Sequence, residues 1–420
     1  MAEFKKPPMV HKLFARLVRC DYGYPSPSYS TTSCTNPATG TGAVSSLLHN
    51  FPYGSRPILY GFGVAVLILN MCLFGLFFVI SAIRYIRYPE IFRSMFKHPV
   101  QSLFLGCFPM GFSTLINASL NACQVYGLGD RFLYALWGLW WFDSALALVV
   151  YFSVLYTMIT RHDHSLKALT AVWLLPAVTP IVPATTGALL ARALLPHSTS
   201  HTTITLFVST IMLFLGLGIT FAILPLYMLR LVTESLPPSP MIISMFLPVG
   251  PCGKAGVAFV VIGQVFAEIA LQGTVPNVLL AQAQPWALVG ICGGFFLWTF
   301  GIWWILLTIL GIYETFKSQR PSFAVGFWGM VFPLGVYTSL TWQLSETFES
   351  LFFRVLSAIL SIVVCLLWAT LAVITIHQAY QNPKSLFNAP YLQAAAPPTR
   401  EITPSTTCET NREVSGDQKC

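Results

Sequence analysis

The chain has 420 residues, of which 55% are hydrophobic and only 9% are charged. Soluble globular proteins carry about 25% charged residues, so this composition, with a mean hydropathy of +0.68, excludes a water-soluble globule and indicates a multi-pass membrane protein. The net charge of +8 does not indicate nucleic-acid binding, because Lys and Arg lie between apolar runs, as in membrane proteins. The apolar runs do not alternate, which excludes a barrel of ~10-residue strands.

Nine apolar runs are long enough to cross a membrane, and they cover residues 57–85, 99–125, 132–160, 170–195, 203–232, 240–271, 286–313, 322–344 and 352–380. A tenth crossing is predicted at TGTGAVSSLLHNFPY (39–53), a helix of 15 residues that would span only ~22 Å. The preceding residues, from about Asp21 to Pro37, are polar and contain prolines. The first helix is therefore predicted to be truncated, either genuinely or because the gene sequence is misread there.

The distribution of Lys and Arg favours ten crossings with both termini in the cytoplasm, because cytoplasmic loops are richer in these residues. The inside loops then hold nine cations, namely Arg84, Arg87, Arg93, Lys97, Arg161, Lys167, Arg230, Lys317 and Arg320. The outside loops hold four, namely Arg56, Arg131, Arg192 and Arg354. The predicted organisation is a disordered cytoplasmic tail (1–38), a transmembrane domain (39–380) and a second disordered cytoplasmic tail (381–420).

Smooth apolar spans alternate with spans that Pro and Gly interrupt, and a short motif recurs in the interrupted ones as FPMG (108–111), LPVG (247–250) and FPLG (332–335). We predict an all-α fold of five helical-hairpin repeats. Backbone groups freed by a break near mid-membrane need protein or water as partners, so the broken helices either surround a central pore or pack tightly. The predicted pathway residues on these helices are Pro109, Gly111, Pro176, Thr185, Pro248, Gly250, Pro333 and Gly335.

Ionisable residues within the spans are few, and intramembrane charges are candidates for function. Lys254 lies in the interrupted stretch GPCGKAG and either favours anions in a lumen or pairs with a carboxylate such as Asp143. For Asp143 itself a structural hydrogen-bonding role is predicted. A lumen of hydroxyls, small residues and helix dipoles suits an anion that must enter and leave, whereas a cation channel needs rings of carboxylates.

Motifs of enzymes and metal sites are not found in the sequence. There is neither a Walker A loop nor an H-E-x-x-H pattern, and the ten Cys residues form no C-x-x-C pair. The loop histidines at 162, 164, 197 and 201 are expected to be solvated rather than to bind metal. We therefore expect a protein that is not an enzyme and that has no cofactor and no metal.

Five blocks resemble the fungal sulfite efflux pumps of the tellurite-resistance/dicarboxylate transporter family, which includes fungal malate permeases and plant slow anion channels. These blocks are HPVQSLFLGCFPMGFSTLIN, LWWFDSAL, AVWLLPAVTPIV, ESLPPSPMIISMFLPVGPCGKAG and GFWGMVFPLGVYT. The resemblance runs from about Thr41 to about Tyr380. It implies ten helices in five hairpins, one pore per protomer and a homotrimer. It also implies that a phenylalanine closes the pore, at the position of Phe332, with Phe108 as a second candidate from the repeat.

The resemblance implies a plasma-membrane exporter of sulfite or bisulfite, driven by the inside-negative potential. Its expected partners are the small anion and the lipid bilayer, without nucleic acid. Lys254-Ala255 stands where the sulfite branch often has Gln-Gly, which bears on anion preference. Two alternatives stay open, namely proton-coupled transport of malate and a defective paralogue without an intact first helix.

Overall fold

The computed structural model describes residues 35–162, 165–271, 283–318, 323 and 325–381, and within these ranges the chain forms helices and no strands. We number the α-helices found there α1 to α11. Their bounds are Thr35–His49, Arg56–Arg87, Pro89–Lys97, Cys107–Tyr126, Asp130–Arg161, Leu174–Leu194, Thr199–Glu234, Val249–Leu271, Ala283–Ser318, Val331–Phe348 and Leu351–Gln381. The predicted tails, except for 35–38 and 381, lie outside the described residues.

Apart from the nine-residue α3, short and long helices alternate along the chain. The long helices α2, α5, α7, α9 and α11 have 31 to 36 residues, and the short helices α1, α4, α6, α8 and α10 have 15 to 23. The apolar stretch around α6 is 94% buried, whereas that of α11 is 17% buried and that of α2 is 22% buried. The short helices therefore form the interior, and the long ones present apolar side chains to the surroundings.

The five short helices contact one another in a closed ring. Helix α1 contacts α4, α4 contacts α6, α6 contacts α8, α8 contacts α10, and α10 returns to α1. Each short helix also contacts the long helix that follows it. Helix α1 is held in the ring by side chains as well, because the Trp368 indole donates to the Thr41 hydroxyl at 3.0 Å and the Ser45 hydroxyl donates to the Gly63 carbonyl at 2.8 Å.

Prolines occupy the same place in all five short helices. The third residue of each is proline, namely Pro37, Pro109, Pro176, Pro251 and Pro333. The first-turn N–H groups have no partner within a helix, so a proline there removes no hydrogen bond. Each of these prolines stands at the start of an α-helix, and whether that start lies near mid-membrane stays a prediction. Among the short helices, α6 carries further prolines in its interior, at Pro180 and Pro183.

Short 3₁₀ segments lead into four of the short helices and explain why the sequence suggested longer spans. They are Ser102–Gly106 before α4, Ala171–Trp173 before α6, Ser239–Phe246 before α8 and Val325–Met330 before α10. Each apolar run thus contains a 3₁₀ entry and an α-helix, and the proline follows the junction.

Eight helical segments among the described residues are long and apolar enough to cross a membrane, so the chain is a multi-pass membrane protein. Helices α1 and α10, at 15 and 18 residues, do not belong to that set. Helix α1 begins at Thr35 rather than at 39, so Thr35–Pro37 are helical and not part of the predicted non-helical segment. The rest of that segment, up to 34, lies outside the described residues.

Candidate functional site: two cavities at opposite ends of the helix ring

An apolar cavity lies at the N-terminal ends of the short helices and encloses about 970 Å³, its open mouth included. All five short helices or their 3₁₀ entries contribute to its wall. The lining residues are Thr39, Phe104, Cys107, Met110, Val172, Leu174, Leu175, Val178, Met241, Ile243, Ser244, Leu247, Gly250, Gly326, Trp328, Gly329, Phe332 and Pro333. We call this space the apolar cavity.

The wall of the apolar cavity contains no Asp, Glu, Lys, Arg or His among the residues that the structure describes. Its side-chain hydroxyls belong to Thr39 and Ser244. The N-terminus of an α-helix carries a partial positive charge because its first N–H groups lack partners. Several such ends face this space, although carbonyl groups in or next to the 3₁₀ entries already accept from the Cys107, Leu174 and Gly250 amides. What the ends have in common is therefore the direction of their helix dipoles, whose positive ends point toward the cavity.

Phe332 lies in the wall of this cavity and is partly exposed. It is the second residue of α10, and the second residues of α6 and α8, Leu175 and Gly250, line the same cavity. Phe108 is the second residue of α4, yet it is not among the lining residues. Its ring stacks on Phe74 of α2, with centroids 5.3 Å apart.

The other predicted pathway residues divide between the cavity and helix contacts. Pro333 and Gly250 line the cavity. A Cβ on Gly111 would meet the Phe74 ring at 3.2 Å, and one on Gly335 would meet the Ala43 Cβ at 3.0 Å, so these glycines allow close packing. The remaining four are buried outside the lining, namely Pro109, Pro176, Thr185 and Pro248.

Lys254 lies on α8 one turn after Gly250, and both therefore share a helix face. Gly250 lines the apolar cavity, but Lys254 is not among the lining residues. Its backbone carbonyl accepts a hydrogen bond of 2.9 Å from the Thr185 hydroxyl of α6. In the described part of the chain Lys254 forms no salt bridge, so the suggested pairing with Asp143 is not made.

Asp143 is fully buried on α5. The Ser113 hydroxyl of α4 donates a hydrogen bond to its Oδ2. This contact links an inner helix to an outer one, and the predicted hydrogen-bonding role of Asp143 is confirmed.

A second, polar cavity lies near the C-terminal ends of α1, α4 and α10 and encloses about 840 Å³, its open mouth included. Since the short helices run in one direction through the ring, this space is at the opposite end from the apolar cavity. The lining residues are His49, Asn50, Pro52, Arg56, Tyr60, Asn121, Gln124, Val125, Trp342, Glu346 and Arg354. We call it the polar cavity.

Sequence reasoning missed the polar cavity and most of the apolar wall. Arg56 and Arg354 were noted only as loop charges, and His49 was not singled out. Phe104 and Trp328 precede the helices that carry the recurrent motif, so the motif did not reveal them. Among the described residues no group of three or more His, Cys, Asp or Glu is placed to hold a metal ion.

A ring of short helices inside apolar long ones, with a cavity at each end, is the architecture of a membrane transporter or channel. Comparison with protein families identifies the family, because the voltage-dependent anion channel family matches residues 32–376. The chain therefore belongs to this family, which consists of transporters and channels.

Relatives of known name agree with this membership. The chain is 34% identical to the sulfite efflux pump of Arthroderma benhamiae over 345 residues, which cover 81% of this chain and 88% of that protein. It is 28% identical to the sulfite efflux pump of Candida albicans over 325 residues, 73% of this chain and 63% of that protein. The malic acid transport protein of Schizosaccharomyces pombe is 23% identical over 353 residues, with 82% and 76% covered.

Proposed function

We propose that this anion transporter exports sulfite or hydrogen sulfite across the plasma membrane. The observation that carries the proposal is the apolar cavity, where helix N-termini converge on a wall without carboxylates. The sulfite efflux pumps among the relatives supply the substrate class. An inside-negative membrane potential favours outward movement of an anion by ~2.3 kcal/mol per charge and 100 mV, so no ATP or cofactor is required.

The proposed pathway runs through the ring of short helices, from the apolar cavity to the polar one. In this proposal each short helix and the long helix after it form one of five hairpin repeats, and the common position of the first-turn proline supports the repeat. The chain crosses the membrane ten times, with both termini and the apolar cavity on the cytoplasmic side. Arg56 and Arg354 then lie outside, as the loop charges predicted.

Phe332 is the proposed gate, since its side chain is part of the wall of the apolar cavity, where the proposed pathway enters the ring of short helices. Phe108 stays a second candidate, but its stacking on Phe74 makes it the weaker one. Lys254 is proposed to attract the anion beyond the gate. Thr185 contributes by holding the Lys254 backbone and thereby the distance between α6 and α8.

The apolar surface of the long helices bears on the oligomeric state. We propose a homotrimer, in which other copies cover part of the apolar surface of helices such as α11. The mass of the detergent-solubilised protein tests this.

The contacts of α1 with α4 and α10, which close the ring of short helices, support a working pore and not a defective paralogue. The transcript across residues 20–42 tests whether the first helix is truly shortened.

The function is tested in yeast that lacks its own sulfite pump and is sensitive to sulfite. Expression of the chain should restore growth on sulfite and increase the release of labelled sulfite from loaded cells. A matched control is Ser244→Asp, which puts a carboxylate in the apolar cavity and should not restore growth. Normal surface expression without any change in sensitivity would contradict sulfite export.

Malate is the second candidate substrate, because the malic acid transport protein of Schizosaccharomyces pombe matches 82% of this chain. Proton-coupled uptake predicts that cells expressing the chain accumulate labelled malate, and more of it as the external pH falls. Sulfite efflux without malate accumulation in the same cells would contradict this alternative.

A further inference from the structure

One buried ring nitrogen in the wall of the polar cavity lacks a hydrogen-bond partner among the described residues. His49 is only 4% exposed, yet it belongs to the wall of this cavity. Its Nδ1 lies 2.9 Å from the Ser45 carbonyl oxygen, which can only accept, so Nδ1 carries the hydrogen. The other ring nitrogen, Nε2, is buried without a hydrogen-bond partner among the described residues.

The ring of His49 is held in place from several sides. Gly63 of α2 lies so close that a Cβ there would be 2.5 Å from the ring, and Tyr60 stacks on it with centroids 6.0 Å apart. The Ser45 hydroxyl bonds the Gly63 carbonyl at 2.8 Å and so ties α1 to α2 at this point. Leaving a buried polar atom such as Nε2 unpaired costs about 1–3 kcal/mol, so a ligand that pairs with it is favoured.

The charged groups around His49 identify the ligand. Arg56 on α2 and Arg354 on α11 bring two positive charges to the cavity, and Glu346 on α10 brings one negative charge. Helix α4 contributes the uncharged Asn121 and Gln124. The excess is positive, and the polar groups suit oxygen atoms, as a small oxyanion requires.

We propose that the polar cavity is a second anion site, whose affinity for small oxyanions is set by protonation of His49. Histidine changes its charge between about pH 5 and 8. When protonated, Nε2 donates a charge-assisted hydrogen bond to the anion. When neutral, Nε2 can only accept, so it holds an anion only through an O–H group of that anion. In the orientation proposed above, acid outside the cell strengthens anion binding at this mouth.

The test measures the thermal stability of the purified full-length protein with and without nitrate, at about pH 5.5 and about pH 8. Nitrate keeps its charge over this range, and a ligand that binds the folded state raises Tm. We expect nitrate to raise Tm more at the lower pH. His49→Gln should remove this pH dependence, whereas His201→Gln, on α7 and outside the cavity lining, should keep it.

Two further variants keep the test decisive if His49→Gln does not fold. Arg354→Gln should weaken nitrate binding about two- to fivefold at both pH values, as expected for one partly screened charge. Glu346→Gln should strengthen binding at both. Equal nitrate effects at both pH values in the unchanged protein would overturn the proposal, as would pH dependence that survives His49→Gln. The measurement needs no transport, so its outcome is independent of whether sulfite is the substrate.

Discussion

The two ends of the ring of short helices offer an anion opposite chemical surroundings. At the N-terminal ends, the wall is apolar and its described residues include no charged side chain; at the C-terminal ends, two arginines and a buried histidine line the space. Helix dipoles explain the difference. The positive ends of the dipoles make the first end favourable to anions, while the negative ends make the second end unfavourable unless cationic side chains offset them. The two arginines therefore lie at the end where the helix dipoles disfavour an anion.

The largest expected effect comes from adding a negative charge at the apolar end, compared with adding one at the polar end. Ser244→Asp places a carboxylate in the apolar cavity, where it repels a passing anion. At ~8 Å and an effective dielectric constant of ~20 the repulsion is about 2 kcal/mol, or about a thirtyfold loss of anion flux. Efflux of labelled sulfite from loaded proteoliposomes measures the loss.

Gln124→Glu adds the same charge to the polar cavity and serves as the matched control. Gln124 is exposed, and water screens charges there, so we expect no more than about a twofold loss. Equal losses in the two variants would mean that the ends do not differ electrostatically in the way the helix dipoles require.

The next largest effect concerns the gate at the apolar end. Phe332→Ala removes a ring from the cavity wall and should raise the anion current about tenfold, which corresponds to a barrier lower by ~1.4 kcal/mol. Phe108→Ala removes a ring of the same size that stacks on Phe74, away from the lining, so the current should change little. Patch recordings of the two variants distinguish them. A larger current in Phe108→Ala than in Phe332→Ala would make Phe108 the gate.

Much of this architecture could be predicted from the sequence. The alternation of smooth and proline-containing runs marked the interior and exterior helices, because only a buried helix can carry many small residues and prolines without exposing backbone to lipid. The 3₁₀ segments before the prolines could not be predicted. A 3₁₀ segment such as Ser239–Phe246 is as apolar as the helix that follows it, so the sequence does not show where one ends and the other begins.

The polar cavity could not be predicted, for a different reason. Its wall combines one or two polar residues from each of five helices with the loop after α1, and each one alone looks like an ordinary residue at a membrane interface. His49 and Arg354 are far apart in sequence, and only the closed ring brings them to one space. The partner of Asp143 could likewise not be predicted, because a hydroxyl such as Ser113 can donate to a buried carboxyl just as a distant lysine can.

Lys254 tests whether a fixed charge adds to the helix dipoles at the apolar end. Lys254→Gln should lower sulfite efflux by about three- to fivefold, the effect of losing an interaction of less than about 1 kcal/mol. Lys254→Arg keeps the charge and should retain most of the flux. If the Gln variant transports as well as the unchanged protein, the dipoles of the ring suffice and Lys254 is a packing residue.

The smallest effect concerns the 3₁₀ entry that carries Phe104 to the apolar cavity. His98 precedes it, and its Nδ1 accepts hydrogen bonds of 3.3 Å from the Val100 and Gln101 amides. Burial, and secondly the charge of nearby His162, lower the pKa of His98 below its usual value of 6.5. Below about pH 6.5 the unfolded chain binds a proton that the folded chain does not, so stability falls as the pH drops toward the lowered pKa.

We expect His98→Gln to reduce this loss of stability, by less than about 1 kcal/mol in the free energy of unfolding. Tm measured across this pH range checks it, because the profile of the variant should be flatter. The exposed His377→Gln should leave the profile unchanged, and an equal effect of both variants would show that the fall in stability has another origin.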